Sequence, residues 1–331
     1  MKIAVVGLGA VGGLIAARLA AGGHEVSAVA RGATLAAVKT HGLRLHTGGH
    51  ESVARLQASD DAHALGPQDL VLVALKAPAL ASAAATLQPL LGAHTLVMPA
   101  MNGVPWWFLQ TAAVAALPGA GSGRLASIDP DGRIESLLPL QRVLGCVVHL
   151  TCSSPEPGVV KHGFGDRLIV GEPAGGHSAR VASVCSAFAE AGFTMEPSAD
   201  IRRDIWYKLW GNMTMNPVSA LTGATTAGML DDPLVREFIL RTMAEAAEIG
   251  ARIACPITQS GEERMAVTRQ LGAFKTSMLQ DVEAGRAIEL DALVTVVREI
   301  GGKVGVPTPE IDTLLGLTRL MAQTRGLYPP A

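Results

Sequence analysis

The first thirty residues carry the feature that most constrains the fold. A short apolar run, residues 3–6 of "KIAVVGLGAVGG", has the character of a buried parallel strand. Ala, Leu and Ile with helical spacing follow over residues 10–21, and a second strand-like run covers residues 25–30. A strand, helix and strand in this order predict a parallel sheet with crossover helices, which is a doubly wound α/β domain.

Between the first strand and the helix lie three glycines with GxGxxG spacing: Gly7, Gly9 and Gly12. The first permits a tight turn, the second lets a pyrophosphate approach the backbone, and the third lets helix and strand pack closely. The helix N-terminus then faces the anion. The alternative is a plain turn rich in small residues. We expect a dinucleotide cofactor to contact the segment Gly7, Gly9, Ala10, Val11 and Gly12.

The end of the second strand indicates which dinucleotide is bound. NAD-binding domains place an acidic residue about 20 residues after the motif to hold the ribose 2′-hydroxyl. No acidic residue occurs between Val26 and His50, and Arg31 stands at the strand end. A guanidinium suits a 2′-phosphate, so the pattern favours NADPH, with Ser27 and Lys39 as possible further contacts. The alternative is a solvated surface arginine.

Later strand-like runs bring two polar residues to strand ends. The runs cover residues 70–75, 95–98, 143–150, 159–161 and 168–170, and the last three predict an additional β region. Lys76 and Asn102 follow the first two runs. Ligands of open α/β sheets lie outside the carboxyl ends of the strands, which favours contact of both residues with cofactor or substrate. Either residue could also be an ordinary loop residue.

Strand signals stop near Ser198, and long segments with helical spacing follow. We therefore predict two domains, residues 1–198 and 199–331. Residues 118–133 form a Gly/Pro/Ser-rich loop to which the sequence assigns no role.

Composition excludes several classes of protein. The formal charge of −2, without a long basic run, argues against a nucleic-acid partner. Residues 77–123 lack Asp, Glu, Lys and Arg, but prolines and glycines interrupt every window of about 20 residues, so a membrane span is not expected. No secretory signal is visible, which predicts a cytoplasmic protein. The four cysteines are scattered without a CxxC pair, so neither a disulfide framework nor a metal site is expected.

The segment "KLWGNMTMNPVSALT" raises a separate question. Lys208, Asn212 and Asn216 are four residues apart and share one narrow helical stripe among apolar residues. All nine histidines lie at or before His177, so a substrate held by the second domain would meet lysine as its natural proton donor. The alternative is a partly exposed helix face with a snorkelling lysine. Pro217 predicts a kink.

Motifs along nearly the whole chain resemble those of ketopantoate reductases. They are "GLGAVGG" with Arg31, "LKA", "NG", "PGVVKHGFGDRLIVGE", "KLWGNMTMNPVSALT" and "SMLQDVEAGRAIELD", in that order. The resemblance implies an N-terminal Rossmann domain, an all-helical C-terminal domain, and NADPH-dependent reduction of a small 2-keto acid, ketopantoate, by a monomer or homodimer. It implies no metal.

The same resemblance assigns roles to individual residues. Lys208 matches the general acid, and Asn212 and Asn216 match residues that line the substrate pocket. Ser277 and Glu289 match substrate-binding residues, and the glutamate also tunes the lysine network and borders the cofactor. Lys76 and Asn102 match residues at the junction of cofactor and substrate.

One position departs from the family pattern. The asparagine expected three residues before the serine is Phe274 here, and Lys275 beside it adds a charge that could bind the substrate carboxylate. The loop after Leu117 also looks longer than is typical.

These departures concern the identity of the substrate and not the type of reaction, so a reductase of another 2-keto acid is one alternative. A dehydrogenase of the 3-hydroxyacid or glycerol-phosphate type is a second, which would need a different substrate-loop signature near the cofactor. A non-catalytic NADPH-sensing protein is a third, against which the presence of Lys208, Ser277 and Glu289 argues.

Overall fold

The computed structural model describes residues 1–117, 123–270 and 272–330. The chain forms two compact units, Met1–Asn102 with Gly132–Asp204, and Gly103–Asp131 with Ile205–Ala331. The division expected between residues 198 and 199 differs from these units at residues 199–204, which belong to the first unit, and at residues 103–131, which belong to the second. There the ring of Phe108 stacks on Trp206 at a centroid distance of 5.9 Å. Residues 118–122 of the Gly/Pro-rich loop lie outside the described residues.

The first unit contains ten strands: β1 (Lys2–Val6), β2 (Glu25–Val29), β3 (Leu43–Thr47), β4 (His50–Ala54), β5 (Gln57–Ser59), β6 (Gln68–Val73), β7 (Leu91–Pro99), β8 (Gly145–Ser153), β9 (Val159–Gly171) and β10 (Thr194–Ser198). The α-helices of the described residues are α1 (Ala10–Ala21), α2 (Gly32–His41), α3 (Ala77–Thr86), α4 (Ala112–Ala115), α5 (Arg133–Leu137), α6 (Ala179–Glu190), α7 (Ile201–Thr222), α8 (Thr226–Asp231), α9 (Pro233–Arg252), α10 (Gly261–Gln270), α11 (Ser277–Glu283), α12 (Val296–Val304) and α13 (Pro309–Thr324).

The predicted parallel sheet is confirmed. Its strand order is β5-β2-β1-β6-β7, and every neighbouring pair is parallel. The chain runs outward from β1 to β2 and β5, and then returns to the other side of β1 as β6. This reversal creates the topological switch point at which doubly wound sheets bind their ligands.

A second sheet with the order β10-β9-β3-β4, and β8 paired to β9, covers the other side of α1. The sequence predicted a β region here but treated residues 159–161 and 168–170 as separate strands. Both runs belong to the single long strand β9. Strands β3, β4, β5 and β10 were not predicted. Gly13 allows α1 to lie against this sheet, because a Cβ atom there would stand 2.5 Å from Cγ2 of Val160.

The described part of the second unit contains helices and no strand, as predicted. Its longest helix, α7, continues through Pro217. None of the helices in the described parts of the chain combines the length and the hydropathy that a bilayer crossing requires.

Candidate active site

The three glycines of the GxGxxG motif occupy different environments. Gly7 has a φ of +93°, and its N–H donates to the carbonyl of Val29 at 3.0 Å. A Cβ atom at Gly12 would lie 2.0 Å from the carbonyl oxygen of Gly7 and 2.8 Å from Cβ of Ala74. A Cβ atom at Gly9 would meet nothing within 4 Å. The backbone therefore needs glycine at positions 7 and 12, whereas position 9 leaves room for a ligand.

A pocket of about 260 Å³ opens beside this motif. Its lining includes Gly7 and Gly9 of the motif, Arg31 and Thr34, and Ala79 of α3. Gly9 is the N-cap of α1 and provides no side-chain cap, so the first N–H groups of the helix, those of Ala10 and Val11 among them, can donate to an anion. The open space and the unpaired donors fit the pyrophosphate of a dinucleotide.

Arg31 follows β2 as the N-cap of α2, and its side chain is exposed beside the pocket. Ser27 and Lys39, suggested as further contacts beside Arg31, lie away from the pocket. Ser27 is buried within β2 and its hydroxyl donates to Oε1 of Gln68 at 3.4 Å, so it cannot reach a ligand in the pocket. Lys39 lies in the last turn of α2, about 12 Å along the helix axis from Arg31. Neither residue is among those that line the pocket, so the geometry gives their suggested contact with a cofactor no support.

Lys76 and Asn102 share the carboxyl edge of the parallel sheet. Lys76 is the N-cap of α3 just after β6, and Asn102 follows β7. Because β6 and β7 are parallel neighbours, with Val73 opposite Pro99, both residues leave the sheet at the same edge as the glycine motif. Both are half-buried. Their roles stay predictions.

Two tryptophans show which face of α7 packs against α9. The indole N–H groups of Trp206 and Trp210 donate to carbonyls of α9, those of Ala246 at 3.2 Å and Met243 at 2.7 Å. Lys208 lies two residues from each tryptophan, about 200° around the helix, and is therefore on the opposite face. Lys208 and Asn212 are half-buried there.

Asn216 links this stripe to a second helix. Its side chain is 6% exposed, and Nδ2 lies 3.5 Å from Oγ of Ser277, the first residue of α11. The structure thus brings together two of the residues predicted to bind substrate. Gly285, with a φ of +63°, separates α11 from the segment that carries Glu289, as the sequence indicated.

Phe274 and Lys275, which precede Ser277, are held by contacts with other residues of this chain. The backbone of Phe274 is tied to Thr226, whose N–H donates to the Phe274 carbonyl at 3.0 Å, while its ring is 39% exposed. Lys275 is exposed and forms a salt bridge with Glu283, with Nζ 2.7 Å from Oε1. Part of the charge expected to bind the substrate carboxylate is therefore already neutralised within this chain.

Glu289 is positioned by the end of the chain. The N–H of Ile288 donates to the carbonyl of Leu327 at 3.1 Å, and the hydroxyl of Tyr328 donates to Oδ1 of Asp291 at 2.6 Å. Burial raises the pKa of Tyr328, and the hydrogen bond to Asp291 raises it further, so the phenol remains a neutral donor. These two contacts fix the backbone on either side of Glu289.

A π-helical turn, Asp291–Thr295, follows Glu289. The carbonyl of Ala292 within it accepts the N–H of Val104 at 2.9 Å. Gly103, with a φ of +87°, makes this contact possible, because a Cβ atom there would lie 2.3 Å from the Ala292 oxygen. Such turns are frequent at functional sites. Sequence reasoning noted the "NG" dipeptide but missed this packing role, and no sequence signal indicated the contact of Tyr328.

The sequence matches two family models over most of its length. Residues 3–175 match the model of ketopantoate reductase PanE/ApbA, and residues 200–322 match that of ketopantoate reductase PanE/ApbA C terminal. Together they cover both the GxGxxG motif and the residues of α7 that include Lys208, Asn212 and Asn216.

Individual proteins show the same similarity. A 2-dehydropantoate 2-reductase of Mesorhizobium japonicum is 44% identical over 329 residues, which cover 99% of this chain and 100% of the relative. A crystal structure from Ralstonia solanacearum MolK2, provisionally named a ketopantoate reductase, is 60% identical with a TM-score of 0.94, covering 99% of each chain. D-mandelate dehydrogenase, solved with NADH and anilino(oxo)acetate, is 22% identical with a TM-score of 0.84, covers 98% of this chain and 100% of its own, and shares the fold.

Proposed function

The chain belongs to the ketopantoate reductase family, and we propose that it catalyses the NADPH-dependent reduction of 2-dehydropantoate to pantoate, a step of pantothenate biosynthesis. The observation that carries the proposal is the face of α7 away from Trp206 and Trp210, where Lys208 and Asn212 are half-buried and Asn216 contacts Ser277. A lysine and uncharged polar groups on one face suit a small, polar, anionic substrate.

In the proposed reaction the carbonyl carbon C2 of the keto acid gains a hydride, and its oxygen gains a proton. A reduced nicotinamide supplies the hydride when bound. Lys208 donates the proton from its ammonium group, and its positive charge stabilises the alkoxide that develops on the oxygen. Asn212 and Asn216 orient the substrate through neutral hydrogen bonds. Glu289, Lys76 and Asn102 complete the proposed set of contacts.

We expect Arg31→Ala to raise the KM for NADPH about tenfold or more and to leave the KM for NADH nearly unchanged. The reason is that a hydrogen bond to a charged group contributes about 1.5–3 kcal/mol, and only NADPH carries a 2′-phosphate. Steady-state kinetics with both cofactors measure the difference.

Lys39→Ala is the matched control for this prediction. It removes the same charge from the same helix, but at the end remote from Arg31. Its effect on both cofactors should be small. Equal weakening of NADPH and NADH by Arg31→Ala would show that Arg31 does not contact the 2′ position.

The substrate is tested by comparing 2-dehydropantoate with 3,3-dimethyl-2-oxobutanoate, the same keto acid without its hydroxyl group. We expect kcat/KM to favour 2-dehydropantoate by roughly one to two decades, because a polar site that loses a hydrogen-bond partner forfeits about 1–3 kcal/mol. Ser277 and Glu289 are the groups proposed to bind the hydroxyl. Equal rates, or a preference for the hydroxyl-free acid, would remove 2-dehydropantoate as the natural substrate.

Phe274 supports a second candidate, a reductase of a more apolar 2-keto acid. Its ring is 39% exposed at a position where a polar contact is expected. The ratio of kcat/KM for 2-dehydropantoate to kcat/KM for 3,3-dimethyl-2-oxobutanoate separates the two candidates. A non-catalytic NADPH sensor would oxidise NADPH with neither acid.

A further inference from the structure

Ser277, which the proposed function places at the substrate hydroxyl, follows a segment without regular structure. Residues 272–275 lie between α10 and α11, belong to neither a helix nor a strand, and are exposed. Ser277 is also exposed and is the first residue of α11. Conformational entropy opposes a fixed position for an exposed segment of this kind. The contacts that hold the segment therefore decide where Ser277 stands.

Thr226, the first residue of α8, holds this segment from within the core. Its hydroxyl donates to the carbonyl of Gly272 at 2.8 Å and accepts the N–H of Phe274 at 3.2 Å. Its own N–H donates to the carbonyl of Phe274 at 3.0 Å. The Thr226 side chain is 1% exposed, so water does not compete for its hydroxyl. A single buried hydroxyl thus binds both ends of the short run 272–274.

The start of α8 is in turn tied to α7. The hydroxyl of Ser219, fully buried on α7, donates to the carbonyl of Ala224 at 2.7 Å, two residues before Thr226. Ser219 comes three residues after Asn216, and residues three apart on a helix are surface neighbours. The position of Thr226 is therefore linked to that of Asn216 by a short connection.

A second buried threonine fixes the start of α11. Thr276 is 3% exposed and is the N-cap of the helix, where its hydroxyl accepts the N–H of Leu279 at 3.3 Å. Ser277 follows directly, and its Oγ lies 3.5 Å from Nδ2 of Asn216. The contacts thus form a closed ring, which runs from α7 through α8 and the segment 272–275 to α11 and returns to α7.

We propose that Thr226 is a positioning residue that sets the distance between Asn216 and Ser277, an inference that rests on the proposed function. Without its hydroxyl the segment keeps one backbone hydrogen bond to α8, so it loosens but does not detach, and Ser277 moves with it. Lys208 is not part of the ring. Loss of the hydroxyl therefore weakens the binding of the distal substrate hydroxyl and spares proton transfer.

Thr226→Val tests the hydroxyl alone, because valine keeps the branched shape and the backbone N–H. The KM for 2-dehydropantoate should rise roughly 5- to 20-fold, the range of one lost hydrogen bond. We expect kcat, the affinity for NADPH and the KM for 3,3-dimethyl-2-oxobutanoate to change by no more than about twofold, since none of them uses the Ser277 hydroxyl. Thr226→Ser, which restores the hydroxyl, should return the KM to that of the wild type.

Thr318→Val is the matched control. Thr318 is fully buried, and its hydroxyl donates to the carbonyl of Leu314 at 2.7 Å within α13, so this variant loses a buried hydrogen bond that does not hold the segment. It should leave the KM for both acids unchanged. Two results overturn the proposal: a KM that rises equally for both acids in Thr226→Val, and a rise that Thr226→Ser does not reverse.

A double variant shows whether Thr226 acts through Ser277. In the background of Ser277→Ala, Thr226→Val should change the KM for 2-dehydropantoate by less than about twofold, because the hydroxyl that it positions is already absent. Effects that multiply in the double variant refute an action through Ser277. Should Thr226→Val fail to fold, Thr226→Cys carries the same comparisons, since a thiol is a weak donor and acceptor.

Hydrogen exchange separates this inference from the proposed function. Failure of the wild type to reduce 2-dehydropantoate would refute the function, but the amide of Phe274 still reports on the segment in the ligand-free protein. Mass spectrometry should show roughly tenfold faster exchange in residues 272–280 of Thr226→Val, and unchanged exchange in Thr226→Ser and Thr318→Val. Exchange that is equal in all of these proteins overturns the positioning role.

Discussion

Lys208→Ala is expected to lower kcat for 2-dehydropantoate by roughly 10²–10⁴, the usual consequence of removing a general acid. This corresponds to about 2.7–5.5 kcal/mol of lost transition-state stabilisation. The second unit contains no histidine that could take over, because all nine histidines belong to the first unit. NADPH affinity should remain intact, since the glycine motif and Arg31 also belong to the first unit. Steady-state kinetics and NADPH titration together measure both effects.

One further variant distinguishes proton donation from charge. Lys208→Arg keeps a cation on the face of α7, but a guanidinium does not give up its proton near neutral pH, so kcat should remain low. Asn212→Ala should act mainly on the KM for the keto acid. If kcat of Lys208→Ala stayed within a few-fold of the wild type, the proton would come from another group and the stripe would be structural.

Gly12→Ala is expected to destabilise the first unit strongly. Its new methyl group would stand 2.0 Å from the Gly7 carbonyl oxygen and 2.8 Å from Cβ of Ala74, and neither the turn nor β6 can withdraw without breaking sheet hydrogen bonds. Overpacking commonly costs about 1–3 kcal/mol, and overlap with backbone places this variant at or beyond the upper end. For a unit of this size, each kcal/mol lowers the Tm by about 2–4 °C. Calorimetry of the cofactor-free protein measures the loss.

Gly9→Ala provides the contrast within the same motif. Position 9 has a φ of −72°, which alanine adopts freely, and a Cβ atom there meets nothing within 4 Å. The Tm of the cofactor-free protein should therefore be unchanged. The methyl group would project where the pyrophosphate is proposed to approach, so NADPH and NADH should both bind at least about tenfold more weakly, since the first helical N–H groups lose their anion contact. Equal losses of Tm in the two variants would refute this division of roles.

The parallel sheet was predictable because its signals are local. Residues 2–6 and 25–29 are short apolar runs, α1 is bounded by glycines, and the sequence-based limits of α1 agree with the structure. Strands β3 to β5 were missed because they are short and partly polar, and their pairing depends on partners elsewhere in the chain. His50–Ala54, for example, is mostly exposed and is a strand only because β3 pairs with it.

The candidate site likewise contains features that the sequence could predict and features that it could not. Spacing alone placed Lys208, Asn212 and Asn216 on one stripe, since a helix repeats every 3.6 residues. Spacing could not reveal that Asn216 meets Ser277, or that Thr226 holds Phe274, because these contacts join residues more than forty positions apart. The departure from the family pattern at Phe274 suggested Lys275 as the carboxylate ligand, without the information that Glu283 is its partner.

By itself, the sequence determined the class of the first unit, the glycine turn, the lysine stripe and the family, because each depends on residues close together or on motifs in a set order. Only the tertiary structure decided that Gly13 faces Val160, that Gly103 packs on the Ala292 carbonyl, and that residues 103–131 join the helical unit. The reason is physical. Close packing and hydrogen bonding act between atoms that folding brings together, and the sequence does not show which neighbour leaves no room for a side chain at a glycine.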